Sequence, residues 1–214
     1  MRPVHELILL MVVLTDFWVL GATRLSSAIR ATAVQGLLLA MLPMALHHEF
    51  TVHLLALAIG TLAVKAVLLP RLLSGAIRES VERRERPLLG FTLSLLLGAV
   101  TVALAFWIGP QLRLPGVRSE VLVPAALATV MIGLIALTTR HQAVSQVVGY
   151  LVIENGIYVF GLSQARRVPF IVEVGVLLDV FAGVFIMGIV VFHIHREFAS
   201  LDSDLLSELT EVRD

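Results

Sequence analysis

The chain has 214 residues, of which 58% are hydrophobic and 15% are charged, and its mean hydropathy is +0.94. Soluble domains carry about 25% charged residues, so this composition predicts a polytopic membrane protein. The absence of cysteine excludes disulfides, thiolate metal sites and thiol redox chemistry, and a formal net charge of zero gives no support for nucleic-acid binding.

Apolar runs recur along the chain at lengths close to the ~20 residues that a membrane-spanning helix needs. Asp16 interrupts the first run and no convincing signal-peptide cleavage site follows it, so we interpret this run as a retained helix. The second run is the shortest and is bounded by Arg30 and His47. Seven runs predict an all-α fold with seven transmembrane helices, at residues 7–22, 31–46, 50–69, 88–109, 121–139, 143–162 and 170–191.

The positions of the arginines predict the orientation of the chain. With an external N-terminus, ten arginines fall on internal segments and five on external ones, which places the C-terminus in the cytoplasm under the positive-inside rule. The longest internal connection, 71–87, carries mixed charges and predicts a solvated helical extension; the alternative is a docking surface for a partner subunit.

The layout divides the chain into four parts. An N-terminal three-helix unit with its cytoplasmic extension occupies 1–87, and a linking helix with an external loop occupies 88–119. A second three-helix unit follows at 120–197, and an acidic tail at 198–214 has leucines at helical spacing. The two units share a similar order of helices and turns, but too few residues match to establish a duplication.

Glu154 and Asp179 lie near the middle of the sixth and seventh runs. An ionisable group at the bilayer centre costs about 3 kcal/mol or more and usually has a function. Both are roughly 16 Å deep at 1.5 Å per residue, and the short connection between their helices predicts that they are neighbours. A buried carboxyl group is disfavoured in its charged form, so the pair is predicted to load and release protons. The alternative is that each is simply protonated, or bonded to Asn155, Tyr150 or an adjacent subunit.

Three polar residues of the first half are further candidates. Asp16 is either a third member of the proton relay or a structural partner for Lys65 or Gln35. Gln35 is predicted to form hydrogen bonds between helices. Lys65 either extends to the interface or pairs with Asp16 or a carboxylate of another subunit, where it would tune the local electrostatic field.

Other candidates lie near the helix ends. Glu173 is close to Arg166 and Arg167, which predicts a surface ion pair or, as the alternative, a proton entry or exit group. Arg140 marks an internal turn as a candidate ion-pairing residue. His141, beside it, is of a residue type that changes charge near neutral pH and is a candidate for passing protons to the relay. Four glycines of the last two runs are predicted to permit close helix approach: Gly149, Gly156, Gly175 and Gly183.

The arrangement of Arg140-His141, a mid-helix Glu154 and a mid-helix Asp179 resembles subunit K of respiratory complex I and the equivalent subunit of multisubunit cation/proton antiporters. Subunit K has its first glutamate where this chain has Tyr150, so Glu154 comes one helical turn later. The whole chain more closely resembles the hydrogenase-4 component E family, and the segment from Ile132 to Asp179 carries most of that resemblance.

The resemblance implies a non-redox membrane-arm subunit of a [NiFe]-hydrogenase complex in the cell (inner) membrane, often coupled to formate oxidation. Antiporter-like membrane subunits and peripheral hydrogenase subunits would be its partners. Glu154 and Asp179 would exchange protons, with Asp16 and Glu173 as access groups. The sequence has no phosphate-binding loop, haem motif or iron–sulfur ligand set, so we expect no cofactor or metal on this chain and no activity of the chain alone. Two alternatives are a subunit of a cation/proton antiporter and a structural membrane scaffold.

Overall fold

Helices account for almost all of the chain that the structure describes. The computed structural model describes residues 2–46, 52–78, 88–112, 114, 119–164 and 181–188, and no strand occurs in these ranges. The predicted all-α fold is therefore confirmed. The elements are α1 (Arg2–Gly21), α2 (Leu25–Leu46), α3 (Val52–Thr61), a π-helix (Leu62–Leu68), α4 (Leu69–Arg78), α5 (Phe91–Ile108), a 3-10 turn (Gly109–Leu112), α6 (Leu122–Thr139) and α7 (Ala143–Gln164), and residues 181–188 are also helical.

Five helical segments of the described chain are long and apolar enough to cross a membrane. The third of them passes without a break through α3, the π-helix and α4, because Thr61 and Leu69 at the two junctions have right-handed helical backbone angles. The predicted count of seven spans is not confirmed. The five segments are Val4–Gly21, Leu25–Leu46, Ala58–Gly75, Phe91–Leu112 and Leu122–Thr139.

The sixth predicted span corresponds to α7, which is 22 residues long but not among these five. Gln146, Glu154 and Asn155 lower its mean hydropathy. This helix packs against α2, α4 and α6, and the centres of the Tyr150 and Phe181 rings are 6.4 Å apart. Such an enclosed helix tolerates polar residues that a lipid-facing helix does not. Of the seventh predicted span, only 181–188 is described.

The second helix differs most from its prediction. Predicted as the shortest span, α2 has 22 residues and begins at Leu25, so Arg30 lies inside it. The Arg30 side chain is exposed, and a long basic side chain near a helix end can extend to the interface without ending the helix. Of the internal connection 71–87, the helical part to Arg78 is described; residues 79–87 and the tail 198–214 lie outside the described residues.

The hairpin of α6 and α7 makes the most extensive contacts between any two helices of the structure. A Cβ atom added at Gly149 would lie 2.5 Å from the backbone nitrogen of Leu137, so only glycine allows the two backbones to approach this closely. At Gly183, by contrast, an added Cβ would meet Leu69 Cδ2 at an ordinary 4.0 Å. Gly149 thus permits a close helix approach, as predicted, whereas Gly183 lies at no close approach. Gly175 lies outside the described residues.

Two apolar core clusters lie at different levels of the helix bundle. One contains Val19, Leu25, Ala136 and Val148, and the other is built from a second stretch of the same four helices. That second set includes Leu9, Leu39, Ala125 and Val159. Each cluster thus takes residues from both halves of the chain.

Candidate functional site

A layer of buried polar side chains separates the two apolar clusters. In each of α1, α2, α6 and α7, a polar residue lies between the stretch that joins one cluster and the stretch that joins the other. Because this happens at a similar level in all four helices, the polar residues meet inside the bundle, away from both helix ends. We call this set the polar layer; with Lys65 of the π-helix it consists of Asp16, Gln35, Lys65, Thr129, Glu154 and Asn155.

An ion pair between Lys65 and Glu154 forms one side of the polar layer. Lys65, the only lysine in the chain, is 5% exposed, and Glu154 is 1% exposed. The Lys65 ammonium also lies 5.6 Å from the centre of the Tyr158 ring, within the range of a cation–π interaction. Lys65 therefore neither extends to the interface nor pairs with Asp16; its carboxylate partner is on α7.

The local backbone explains how Lys65 reaches α7. Pro70 has no N–H to donate to the carbonyl of Ala66, and its ring would clash with that carbonyl in a regular α-helix. The π-helix before it widens the turn and carries Lys65 at its centre. A Cβ atom added at Gly36 of α2 would lie 2.7 Å from the carbonyl carbon of Lys65, so the glycine makes room for this wider backbone. Single π turns are frequent at functional sites.

A chain of hydrogen bonds, all donated by uncharged side chains, forms the other side of the polar layer. Gln35 Nε2 donates to Asp16 Oδ1 at 2.6 Å, and Thr129 Oγ1 donates to Asp16 Oδ2 at 2.8 Å. Asn155 Nδ2 donates to Gln35 Oε1 at 2.9 Å. Asn155 directly follows Glu154 on α7, so the two sides of the layer adjoin. Gln35 thus links three helices, as an interhelical hydrogen bonder is expected to do.

Tyr158 extends the site by one helical turn. Its hydroxyl lies 3.2 Å from Thr61 Oγ1, in a hydrogen bond that joins α7 to the end of α3, directly before the π-helix. The ring beside the ammonium and the hydroxyl on Thr61 hold α7 and the π-helix together next to the ion pair. Neither residue stood out in the sequence, because an aromatic residue and a threonine are common in apolar helices.

Arg140 lies apart from the polar layer and binds the end of α1. Its guanidinium donates to the backbone carbonyls of Val19 at 2.8 Å, Ala22 at 3.2 Å and Leu20 at 3.4 Å. A cation is favourable there because the last carbonyls of a helix have no intrahelical donor. Burial lowers the pKa of Arg140 from its usual value. Its neighbour His141 is exposed in the turn.

The remaining predicted site residues lie outside the described residues: these are Glu173 and Asp179. Thr129, in contrast, belongs to the layer but was not singled out in the sequence. Its position in the sequence could have indicated this, because Thr129 lies about as many residues before the α6–α7 turn as Glu154 lies after that turn. Among the described residues no group of three or more histidine, aspartate or glutamate side chains is placed to hold a metal ion.

The polar layer contains side chains of types that bind protons. The ionisable groups of the polar layer are two carboxyl groups and one ammonium group, so the layer is electrically neutral when it binds one proton in addition to that on Lys65. An uncompensated charge in the membrane interior is costly, which favours this neutral state. Separating or closing the ion pair would change the charge state of the layer and with it the number of protons bound.

Comparison with known proteins identifies two groups of relatives. The chain is 36% identical over 204 residues to the uncharacterized protein Rv0085 of Mycobacterium tuberculosis, an alignment that covers 93% of this chain and 92% of the relative. It is 27% identical over 161 residues to hydrogenase-4 component E of Escherichia coli K12, covering 73% of this chain and 74% of the relative, and equally similar to that protein of Shigella flexneri. No protein-family profile and no solved structure matches significantly. The chain is thus a membrane protein that belongs to the family of Rv0085 and is a distant homologue of hydrogenase-4 component E.

Proposed function

We propose that this protein is a non-redox membrane-arm subunit of a hydrogenase-type complex and that its polar layer takes part in proton translocation. The observation that carries the proposal is the Lys65–Glu154 ion pair, which is buried between two apolar clusters. Lys65 lies midway along a segment long and apolar enough to cross a membrane, and Glu154 lies near the middle of the 22-residue α7. The relatives named hydrogenase-4 component E support the type of complex. A chain without cysteine offers no thiolate ligand for an iron–sulfur cluster, which agrees with a non-redox role.

The ion pair offers a physical route from a change in a neighbouring subunit to a bound proton. While Lys65 contacts Glu154, the two charges compensate each other and the carboxylate binds no proton. A displacement of Lys65 leaves the Glu154 carboxylate uncompensated in a medium of low dielectric constant, and proton uptake then restores neutrality. Return of the ammonium releases the proton. Directional transport follows if the proton enters from one side and leaves to the other.

The finer architecture belongs to the same proposal. We propose seven membrane spans, α7 and 170–191 being the sixth and seventh, with an external N-terminus and a cytoplasmic C-terminus. The unit 120–197 would resemble subunit K of complex I. Partners would be antiporter-like membrane subunits and peripheral [NiFe]-hydrogenase subunits, with proton transport driven by hydrogen or formate chemistry elsewhere in the complex.

Glu154→Gln tests the proposed function, because the amide keeps the shape of the side chain and removes both its charge and its basicity. Inverted membrane vesicles would be assayed for proton uptake driven by the complex, together with hydrogen production from an artificial electron donor. We expect hydrogen production to persist while the protons moved per hydrogen fall several-fold. Glu120→Gln is the matched control, since Glu120 is exposed just before α6. An unchanged ratio in an assembled Glu154→Gln complex would refute the transport role.

Purification of the tagged chain from its native membrane tests the partners. Co-purification of antiporter-like subunits and a [NiFe]-hydrogenase large subunit, identified by mass spectrometry, is the expected result. Antiporter-like subunits alone would instead indicate a cation/proton antiporter. Recovery of the chain alone from gently solubilised membranes would contradict membership of either complex.

A further inference from the structure

Asp16 is the carboxyl group that the ion pair leaves without a cation. It is 0% exposed, and within the described ranges its carboxylate accepts hydrogen bonds from Gln35 and Thr129, two uncharged side chains. The single lysine of the chain is bound to Glu154. Two neutral donors stabilise a carboxylate less than an ion pair does, so Asp16 meets different electrostatic conditions from Glu154.

The helices packed against α1 bring few charges near Asp16. In the described chain these helices are α2, α5 and α6. Neither α5 nor α6 contains a charged residue, and the charged residue of α2 is Arg30, which is exposed. On α1 itself, His5 and Glu6 lie near the start of the helix, several turns away. The guanidinium of Arg140 binds the carbonyl of Val19, three residues after Asp16 on α1, and the Lys65–Glu154 pair is connected to Asp16 through Asn155 and Gln35.

We propose that Asp16 and Thr129 form a proton-binding site separate from the Lys65–Glu154 pair, in which Asp16 rests as the neutral acid. Thr129 is the positioning residue of this site. The proposal deepens the proposed function by assigning the resting proton of the polar layer to a particular side chain. The step is a simple protonation: one proton binds one carboxylate oxygen, and no electron is transferred.

The hydroxyl group of Thr129 suits both protonation states. When Asp16 is ionised, the Thr129 hydroxyl donates its hydrogen to Asp16 Oδ2 at 2.8 Å. When Asp16 is protonated, the hydroxyl oxygen can accept the carboxyl hydrogen, and the hydroxyl hydrogen can be donated to a backbone carbonyl. Thr101 and Thr139 already donate to carbonyls four residues earlier, at 2.7 Å each, so helices of this protein accommodate that bond. Gln35 continues to donate to Oδ1 in both states.

Infrared spectroscopy of the full chain in lipid nanodiscs tests the site directly. A protonated carboxyl group has a C=O band distinct from the bands of carboxylates. We expect such a band at pH 7, shifted by isotope-labelled aspartate and absent from Asp16→Asn. Absence of an aspartic-acid band in the native protein at pH 7 would overturn the proposal. So would loss of the band when sodium replaces potassium at constant pH, because the site would then bind sodium. If Asp16→Asn does not fold, the labelled band is measured in Asp179→Asn instead, and its loss there would assign the band to Asp179 and overturn the proposal.

Thr129→Val, Thr129→Ser and Thr138→Val separate positioning from packing. Valine removes the hydroxyl and retains the shape, serine retains the hydroxyl, and Thr138 is exposed on the same helix and bonds Leu134 O at 2.8 Å. A hydrogen bond to a charged acceptor is stronger than one to a neutral group, so Thr129→Val should move the midpoint of the Asp16 band to higher pH by about one unit. Thr129→Ser and Thr138→Val should not move it. Equal midpoints in all variants would refute the role of Thr129.

The spectra are recorded on resting protein and require no turnover. Failure of Glu154→Gln to reduce transport would therefore refute the proposed function while leaving the Asp16 result to be judged by its own band. Conversely, an ionised Asp16 in a complex that requires Glu154 would refute the second site alone.

Discussion

Replacing the two members of the Lys65–Glu154 pair by methionine should reveal strong coupling between the two positions. In Lys65→Met, the Glu154 carboxylate is left buried without a cation, and in Glu154→Met, the Lys65 ammonium group is left buried without an anion. A buried charge without a partner is costly, so each single variant should be destabilised. In the double variant, neither position carries a charge.

The size of the effect follows from the burial of the pair. Both residues are at least 95% buried, so solvent screens their interaction little. Removing one partner of a buried ion pair typically costs about 3–5 kcal/mol, whereas replacing both by apolar residues of similar volume is often neutral. We therefore expect losses of that order in each single variant near neutral pH, and near-native stability in the double variant. The coupling free energy between the two sites should be several kcal/mol.

Unfolding in mixed micelles at increasing sodium dodecyl sulfate, followed by circular dichroism near neutral pH, measures these free energies. Glu120→Met is the control, because Glu120 is exposed and should give a change of less than about 0.5 kcal/mol. The reasoning would be refuted if the losses of the single variants simply added in the double variant.

Two further substitutions test the structure around the polar layer, using the same unfolding assay. Arg140→Ala should lose about 1–3 kcal/mol, because the carbonyls at the end of α1 are left buried without their donor, while Arg30→Ala, at an exposed position, should change stability much less. Equal losses in these two variants would argue against the helix-capping role. Gly36→Ala should cost about 1–3 kcal/mol through the clash with the backbone of Lys65, whereas Gly60→Ala meets no atom within 4 Å and should be neutral or stabilising. A neutral Gly36→Ala variant would show that the π-helix shifts readily.

The polar layer resolves an apparent conflict between membrane insertion and charge. The chain has long apolar runs, yet several of them contain an ionisable or amide side chain near the middle. The structure places these side chains against one another between two apolar clusters, so lipid contacts the apolar faces of the helices. The exposed residues of α5, such as Leu96, Val100 and Trp107, show such a face.

The sequence by itself determined the class of the protein, the approximate extent of its helices and the depth of its polar residues. These properties depend on local composition: an apolar run of sufficient length predicts a helix in the membrane, and a count of residues gives the depth of a side chain in it. The resemblance to hydrogenase-4 component E, confirmed as distant homology, was also visible in the order of such residues. Asp16, Gln35, Lys65 and Glu154 were all singled out in this way.

Only the tertiary structure decided which of these side chains meet. Depth does not specify the direction in which a side chain points, and the pairing depends on how each helix is rotated against its neighbours. The π-helix directs the Lys65 side chain toward α7. It depends on Pro70 and on the close approach that Gly36 permits, two residues 34 positions apart in the chain. Thr129 likewise became part of the site only because the glycine-mediated contact of α6 with α7 and the packing of α1 bring it to Asp16. Long-range packing of this kind leaves no local pattern in a single sequence, because apolar helices of similar composition can be rotated and paired in many ways.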